Sequence, residues 1–201
     1  MAGFAEIVSR LSDLDSYLTL SVNSLSCPVS DFVWKTFSLV KVWIPLYLVV
    51  LFFLFRRLGW KRGLACLLAL VLTVVACDQF ANLVKDTVAR LRPCHNPFMV
   101  ENGLRILESK GGQYGFFSGH AANAMGFAVA SSILFRMDKS HKYGLYTCLI
   151  VLWAVLLGLS RVFVGKHYLG DVLVGFAAGS AIAFLISLIA VKICRKLFSL
   201  R

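Results

Sequence analysis

The sequence predicts an all-α integral membrane protein, with about five transmembrane helices in a bundle and an amphipathic helix before them. Hydrophobic residues make up 59% of its 201 residues, and the mean hydropathy is +0.78. Soluble globular chains are only about 45–50% apolar. The apolar residues also gather into five runs, each near the ~17–25 residues that cross a hydrocarbon core. One domain over 1–201 is expected.

The N-terminal segment 1–33 has apolar residues at helical spacing with polar residues between them. This pattern predicts an amphipathic helix on the membrane surface or against the bundle. Cys27-Pro28 predicts a break after it, and the early acidic residues argue against a cleaved signal peptide. The apolar positions are Phe4, Ile7, Val8, Leu11, Leu14 and Leu18.

The five spans are predicted over 37–55, 63–84, 120–135, 143–159 and 169–191. Pro45 is expected to kink the first span. In the last span, Gly175 and Gly179 form a GxxxG pattern, which favours close helix packing within the bundle over a dimer interface.

Charge in the connections predicts the orientation. With five spans, three basic segments fall on one side, which is expected to be cytoplasmic. The N-terminal segment, the loop 85–119 and the stretch 160–168 are then external. The cations of the loop 85–119 and of the stretch 160–168 oppose the positive-inside tendency and indicate a bound anionic ligand. The three basic segments hold Arg56, Arg57, Lys61 and Arg62; Arg136, Lys139 and Lys142; and Lys192, Arg195, Lys196 and Arg201.

Six cysteines are scattered along the chain without a CxxC pattern. This spacing predicts neither a zinc site nor a disulfide framework. A bridge between Cys27 and Cys94, both outside the spans, is left open.

Three polar segments fall on the external side. In the stretch Ser160–Asp171, His167 and Asp171 are four residues apart and so share a helical face. At that spacing a carboxylate can hold an imidazole in one tautomer. Lys85 and Arg92 also share a helical face. The segment 117–120 offers free backbone N–H groups to an anion at a helix start.

Lys-x6-Arg-Pro, Ser-Gly-His and Ser-Arg-x5-His-x3-Asp, in this order from Lys85 to Asp171, resemble a three-part family signature. It is that of the type 2 phosphatidic acid phosphatase (PAP2) superfamily, which also includes vanadium haloperoxidases and bacterial acid phosphatases. The five spans resemble its membrane branch of lipid phosphate phosphatases. One departure is Phe117, where the family usually has proline, and it is expected to alter only the turn before the helix.

The resemblance implies a role for each matching residue. His167 would attack phosphorus and form a phosphohistidine, with Asp171 orienting it. His120 would protonate the leaving oxygen and then activate water. The phosphoryl oxygens would be held by Lys85, Arg92, Arg161, Ser118 and the Gly119 amide. Because fixed cations can neutralise a phosphoryl transition state, neither a metal nor another cofactor is expected.

Other polar residues lie outside the signature. Asp78 and Asn82 share a helical face with Lys85, and are interpreted either as supporting groups for it or as interhelical hydrogen bonds. The loop 94–117 is too long for a plain connector and is expected to cap the site. Arg90 and Lys166 are expected to be solvated or near lipid phosphates, and Arg105, Glu108 and Lys110 are expected to be ordinary loop charges.

The sequence therefore predicts a metal-independent lipid phosphatase in a bacterial inner membrane, with its site on the periplasmic face. Undecaprenyl diphosphate and phosphatidylglycerophosphate rank slightly ahead as substrates, followed by lipid A phosphate, with phosphatidic acid also a candidate. A phosphotransferase using the same residues is the alternative, and a transporter is a weaker one, because its charges would lie near the bilayer midplane. The partners expected are the lipid substrate and the membrane, without nucleic acid. The oligomeric state is left open.

Overall fold

The computed structural model describes residues 2–25 and 27–198, in which the regular elements are helices and no strand occurs. A single isolated bridge pairs Leu91 with Tyr114. The predicted all-α membrane class is confirmed. Arg201 and the side chain of Phe4 lie outside the described part. The helices are α1 (Ala2–Ser24), α2 (Pro28–Ser38), α3 (Ile44–Leu58), α4 (Trp60–Val88), α5 (Pro97–Glu101), α6 (Gly119–Phe135), α7 (Gly144–Phe163) and α8 (Leu169–Leu197).

Three of the described helices, α4, α7 and α8, are each long and apolar enough to cross a membrane. The pair Pro28–Ser38 and Val40–Leu58 reaches that length together but is bent by 70°, as in a broken span or a re-entrant loop. The remaining predicted span corresponds to α6, which has 17 residues and is largely buried. Since α6 packs on α4, α7 and α8, it forms the centre of the bundle.

The first predicted span differs from the prediction in where it bends. Pro45 lies in the first turn of α3, where its missing N–H costs nothing, so it does not kink the helix. The chain turns earlier, through the 3-10 turn Val40–Trp43. The Trp43 indole N–H donates to the Phe37 carbonyl oxygen at 2.9 Å across this turn.

Helices α6 and α8 approach closely because α8 presents glycines to α6. A Cβ added at Gly179 would lie 2.2 Å from the Ala122 carbonyl oxygen, and one at Gly175 would lie 2.7 Å from the Ser118 carbonyl oxygen. Both contacts are to backbone, which cannot move aside as a flexible side chain can. The GxxxG pattern therefore packs α8 within the bundle, as predicted.

We expect Gly179→Ala to destabilise the protein by about 1–3 kcal/mol, because the new methyl group overpacks the α6–α8 contact. Gly144→Ala is the matched control, since a Cβ at Gly144 would meet no atom within 4 Å. Thermal unfolding of both variants in detergent measures the difference. Equal melting temperatures for Gly179→Ala and the wild type would contradict the close packing.

Helix α1 is amphipathic as predicted, but its polar face packs against the bundle. Ser16, Thr19 and Asn23 are buried, with 8%, 0% and 1% of their surface exposed. Leu11 and Leu14 of the apolar face are 60% and 53% exposed. A helix with lipid on its outer side can leave apolar residues there, so its polar residues are available for contacts with the protein.

The buried polar face of α1 satisfies free backbone groups at helix ends. The Asn23 side-chain amide donates to the carbonyl oxygens of Val162 and Phe163 at the end of α7, both at 3.0 Å. The Thr19 hydroxyl accepts from the Leu169 N–H at 3.0 Å, at the start of α8. These contacts hold α1 beside the junction between α7 and α8.

The three basic segments meet at the opposite end of the bundle. The Arg57 guanidinium lies 2.8 Å from Nε2 of His141, and Arg62 donates to the Phe198 carbonyl oxygen at 3.0 Å. The basic segments thus share one end, as the sequence predicts, and the three polar segments lie at the other.

Candidate active site

The three polar segments come together at the end of the bundle opposite the basic segments, which we call the site end. Lys85 lies at the end of α4, Gly119 and His120 begin α6, and Arg161 lies in the last turn of α7. These residues line one cavity of about 640 Å3, together with Arg92 and His167. The rest of its wall is largely apolar and includes Tyr47, Leu51, Leu70, Val74 and Phe127. A charged end and a long apolar wall suit a molecule that has an anionic group joined to a hydrocarbon chain.

His167 and Asp171 form a buried pair at the start of α8. His167 is 3% exposed and Asp171 is fully buried. Nδ1 of His167 lies 3.4 Å from Oδ2 of Asp171, and the same oxygen accepts from the Tyr168 N–H at 3.1 Å. Because the carboxylate occupies the Nδ1 side of the ring, Nε2 is the nitrogen that remains for chemistry.

The surroundings of His167 favour its neutral form. Burial lowers the pKa of the imidazole, and the positive charges of Arg161 and Arg92 lower it further, while Asp171 opposes them. The net direction is below the ordinary value. A neutral imidazole has a free lone pair and can act as a nucleophile.

The cations around the cavity are held by hydrogen-bond acceptors. Arg92 donates from Nε to the Tyr114 carbonyl oxygen at 3.1 Å, and Arg161 pairs with Glu108 at 3.4 Å. Within the described residues, the buried Nε of Arg161 has no partner. The Nε–H of Arg161 is therefore a hydrogen-bond donor that remains available to an anion.

Lys85 is held by the two residues that the sequence placed on its helical face. Its ammonium donates to Oδ1 of Asn82 at 3.2 Å, and Nδ2 of Asn82 donates to Oδ2 of Asp78 at 3.4 Å. This chain of hydrogen bonds is compatible with the supporting role expected for Asp78 and Asn82.

Ser118 and Gly119 have different positions at the start of α6. The Ser118 hydroxyl is fully buried and accepts from the Ala121 N–H at 3.4 Å, so it caps the helix. Gly119 lines the cavity, and Ser118 is not among the lining residues. A direct phosphate contact is therefore supported for Gly119, whereas for Ser118 it stays a prediction.

The loop 94–117 folds over the cations. The Ser109 carbonyl oxygen accepts from the Lys166 ammonium, and the Lys110 carbonyl oxygen accepts from Arg92 at 3.5 Å. Lys166 is only 4% exposed, so its expected solvated position is wrong. Glu108 is also more than a loop charge, because it pairs with Arg161 and accepts from the Ser38 hydroxyl.

Arg90 and Asp15 are residues of the site region that the sequence did not reveal. Arg90 was expected to be solvated, but it pairs with both Asp171 and Asp15 at 2.8 Å. Asp15 is 75 residues before Arg90 in the chain, and no spacing rule relates residues that far apart. In the sequence, only the number of charged residues near Arg90 indicated that it could have a role in the site.

No group of three or more potential ligands (His, Cys, Asp or Glu) that could hold a metal ion occurs among the described residues. All six cysteines lie within those ranges and are free thiols. Cys27 and Cys94 are both free, so no bridge joins them.

Comparison with known proteins identifies the family. The model of the PAP2 superfamily matches residues 63–194. A lipid A 4'-phosphatase of Bacteroides thetaiotaomicron is 33% identical over 195 residues, which are 96% of this chain and 84% of that protein. A lipid A 4'-phosphatase of Porphyromonas gingivalis is 31% identical over 170 residues, 83% of this chain and 69% of that protein.

The fold has a counterpart among solved structures. The crystal structure of a transmembrane PAP2 type phosphatidylglycerolphosphate phosphatase from Bacillus subtilis aligns with a TM-score of 0.71 and 20% sequence identity. The alignment covers 92% of this chain and 88% of that one. The chain belongs to the PAP2 superfamily. Its predicted enzyme class, a phosphatase of membrane lipids, is confirmed.

Proposed function

We propose that this enzyme hydrolyses a phosphate monoester of a glycolipid of the lipid A type, through a phosphohistidine, at the external face of a bacterial inner membrane. The observation that carries the proposal is the cavity, in which two histidines and three cations lie at one end of an apolar wall. The proposal takes 1–201 as one domain, with the loop 94–117 as the cap over the site.

The choice of lipid rests on the relatives. The lipid A 4'-phosphatase of Bacteroides thetaiotaomicron aligns with 96% of this chain. The phosphatidylglycerophosphatase B of Bacillus subtilis is 34% identical but aligns with 58% of it. This difference supports placing lipid A phosphate first, whereas the sequence alone favoured undecaprenyl diphosphate and phosphatidylglycerophosphate.

In the first step, Nε2 of His167 attacks phosphorus in line with the oxygen that leaves. A P–N bond forms as the P–O bond to the lipid breaks, and His120 donates its proton to that oxygen. The imidazole gains positive charge as it reacts, and Asp171 at 3.4 Å from Nδ1 stabilises it. Negative charge spreads over the phosphoryl oxygens, where Lys85, Arg92 and Arg161 neutralise it.

In the second step, the now neutral His120 accepts a proton from a water molecule. The resulting hydroxide attacks phosphorus, the P–N bond breaks, and inorganic phosphate leaves. His167 returns to its neutral form and His120 to its protonated form, so the cycle closes. The fixed cations supply the charge stabilisation that Mg²⁺ gives in many phosphoryl transferases, so we expect activity to persist in EDTA.

A panel assay of the purified protein tests this function. Phosphate release is measured in EDTA on lipid A phosphate, undecaprenyl diphosphate, phosphatidylglycerophosphate and phosphatidic acid, and we expect the highest kcat/KM on lipid A phosphate. A different preferred lipid would overturn the choice of substrate. Transfer of the phosphoryl group to a second lipid or sugar would instead establish a phosphotransferase. No release from any lipid would overturn the function.

Thiol labelling tests the orientation. Cys27 is exposed at the site end, and hydrogen bonds with Ser30 lower the pKa of its thiol, which favours reaction. In a Cys148→Ala background, we expect a membrane-impermeant thiol reagent to label Cys27 in intact spheroplasts.

The control places a thiol at the opposite end. Lys139→Cys, made in a chain that also lacks Cys27 and Cys148, should react only after the membrane is permeabilised. The reverse pattern would place the site in the cytoplasm.

A further inference from the structure

We propose that Asp15 and Arg90 form a positioning pair that fixes the Asp171 carboxylate, and through it His167, for the phosphoryl transfer. The inference rests on the proposed function, because it assigns His167 as the nucleophile. It adds two residues from outside the three-part signature: one from α1 and one from the connection after α4.

Arg90 is an ion-paired bridge rather than a surface cation. Its Nη1 lies 2.8 Å from Oδ1 of Asp171, and its Nη2 lies 2.8 Å from Oδ2 of Asp15. The guanidinium carbon also lies 3.8 Å from the centre of the Tyr168 ring, which stacks under it. The Arg90 side chain is 23% exposed, and that of Asp15 is 16% exposed. With two carboxylates and a ring around it, the guanidinium is confined to one orientation.

The bridge sets the rotation of the Asp171 carboxylate. Oδ1 is taken by Arg90, while Oδ2 accepts from the Tyr168 N–H at 3.1 Å and faces His167 at 3.4 Å. If Arg90 were absent, Oδ1 would be a buried charge without a partner, and this cost favours rotation of the ionised carboxylate away from its present orientation. The rotation would misalign Oδ2 with Nδ1 of His167.

Asp15 binds both Arg90 and the first turn of α8. Its Oδ1 accepts from the Gly170 N–H at 2.8 Å, while its Oδ2 takes Arg90. Thr19, one turn later on α1, accepts from the Leu169 N–H. Two of the free N–H groups at the α8 start are therefore capped from α1 rather than by α8 itself. The polar face of α1 thus helps to define where His167 and Asp171 stand.

The positive charge of Arg90 also offsets part of the negative electrostatic potential that Asp171 produces at His167. The charged and titratable groups that act on His167 are Asp171, Arg161, Arg92 and His120. Removing the Arg90 charge leaves Asp171 uncompensated and stabilises the protonated imidazole. A protonated His167 cannot attack phosphorus, so the loss of Arg90 would reduce the reactive fraction as well as its alignment.

The test compares Arg90→Gln, Arg90→Lys and Asp15→Asn in steady-state kinetics on the preferred lipid. We expect kcat to fall about 10–100-fold in Arg90→Gln and Asp15→Asn, by analogy with the loss of hydrogen-bond partners that orient metal-ligating histidines. KM should stay within about twofold, because no contact with substrate is removed. Arg90→Lys keeps the charge and should recover part of the loss.

A second readout needs no substrate. In protein with ¹⁵N-labelled histidine, NMR titration should show a higher pKa for His167 in Arg90→Gln than in the wild type, with the resonance assigned from His167→Gln. A purely structural role for Arg90 would leave this pKa unchanged. Because the titration is independent of turnover, it separates failure of this inference from failure of the proposed phosphatase function.

Two control variants break ion pairs that do not reach Asp171. Arg10→Ala removes the exposed Glu6–Arg10 pair of the same helix, and Asp138→Asn removes the pair with His141 at the opposite end of the bundle. Both should keep the wild-type kcat. If Arg90→Gln does not fold, Asp15→Asn and Arg90→Lys decide in its place. The inference is overturned if Asp15→Asn keeps its kcat, if only KM changes, or if the controls lose activity equally.

Discussion

His167→Ala will lower kcat by at least about 10⁴-fold, because removal of a covalent nucleophile leaves only binding and charge stabilisation. The protein cations proposed to bind the phosphate remain in this variant, so the lipid should still bind. Phosphate release from the preferred lipid, with enough enzyme to detect very slow turnover, measures the loss. Binding is followed separately by equilibrium dialysis against mixed micelles.

The chain offers a matched control for this variant. His141 also faces a carboxylate, with Nδ1 at 2.8 Å from Oδ2 of Asp138, but it lies at the opposite end of the bundle. His141→Ala should therefore keep full activity. If His167→Ala retained more than a tenth of the wild-type rate, covalent catalysis by this residue would be excluded.

His120→Ala will lower kcat about 10²–10⁴-fold on a lipid substrate, because one group serves as acid in the first step and as base in the second. An aryl phosphate has a good leaving group and does not need the acid. With that substrate the first step should proceed while the second stalls, so the phosphoenzyme accumulates.

The trapped species gives a direct readout. We expect a covalent phosphate that is labile in acid and stable in alkali, and mass spectrometry should map it to His167. The double variant His120→Ala/His167→Ala is the control and should carry no label. A phosphate on any other residue, or none on the single variant, would contradict the phosphohistidine mechanism.

Much of the fold and site could be predicted because it depends on local patterns. Apolar runs have the length of a bilayer, so the helices could be placed from composition alone. His120 and His167 could be found because each sits in a short ordered motif next to a helix start. The sequence also predicted that the three motifs lie on one side of the membrane, because an even number of spans returns the chain to the same side.

What the sequence did not show depends on contacts between distant segments. Arg90 occupies an unconstrained position within its motif, and its role arises only when α1 brings Asp15 to it. The polar face of α1 was recognised but its direction was not specified. In water the apolar face of a helix would be buried, whereas beside lipid the polar face can be.

The bend before α3 shows a different limit. Pro45 suggested a kink, but proline is tolerated in the first turn of a helix, so its presence does not fix where a bend falls. The break instead follows Ser38, and no residue of the turn Val40–Trp43 is a strong helix breaker. The bend therefore depends on tertiary packing, which a local sequence pattern does not reveal.

The docking of α1 has a consequence for how the enzyme is made. Asp15 and Gly170 are separated by 155 residues, so this contact of α1 can form only after α8 has been synthesised. Contacts this distant in sequence form late, because a long loop must close before they contribute. A nascent chain would hold all its phosphate-binding cations before His167 is set in place. The site would therefore lack an aligned nucleophile until α8 has joined the bundle.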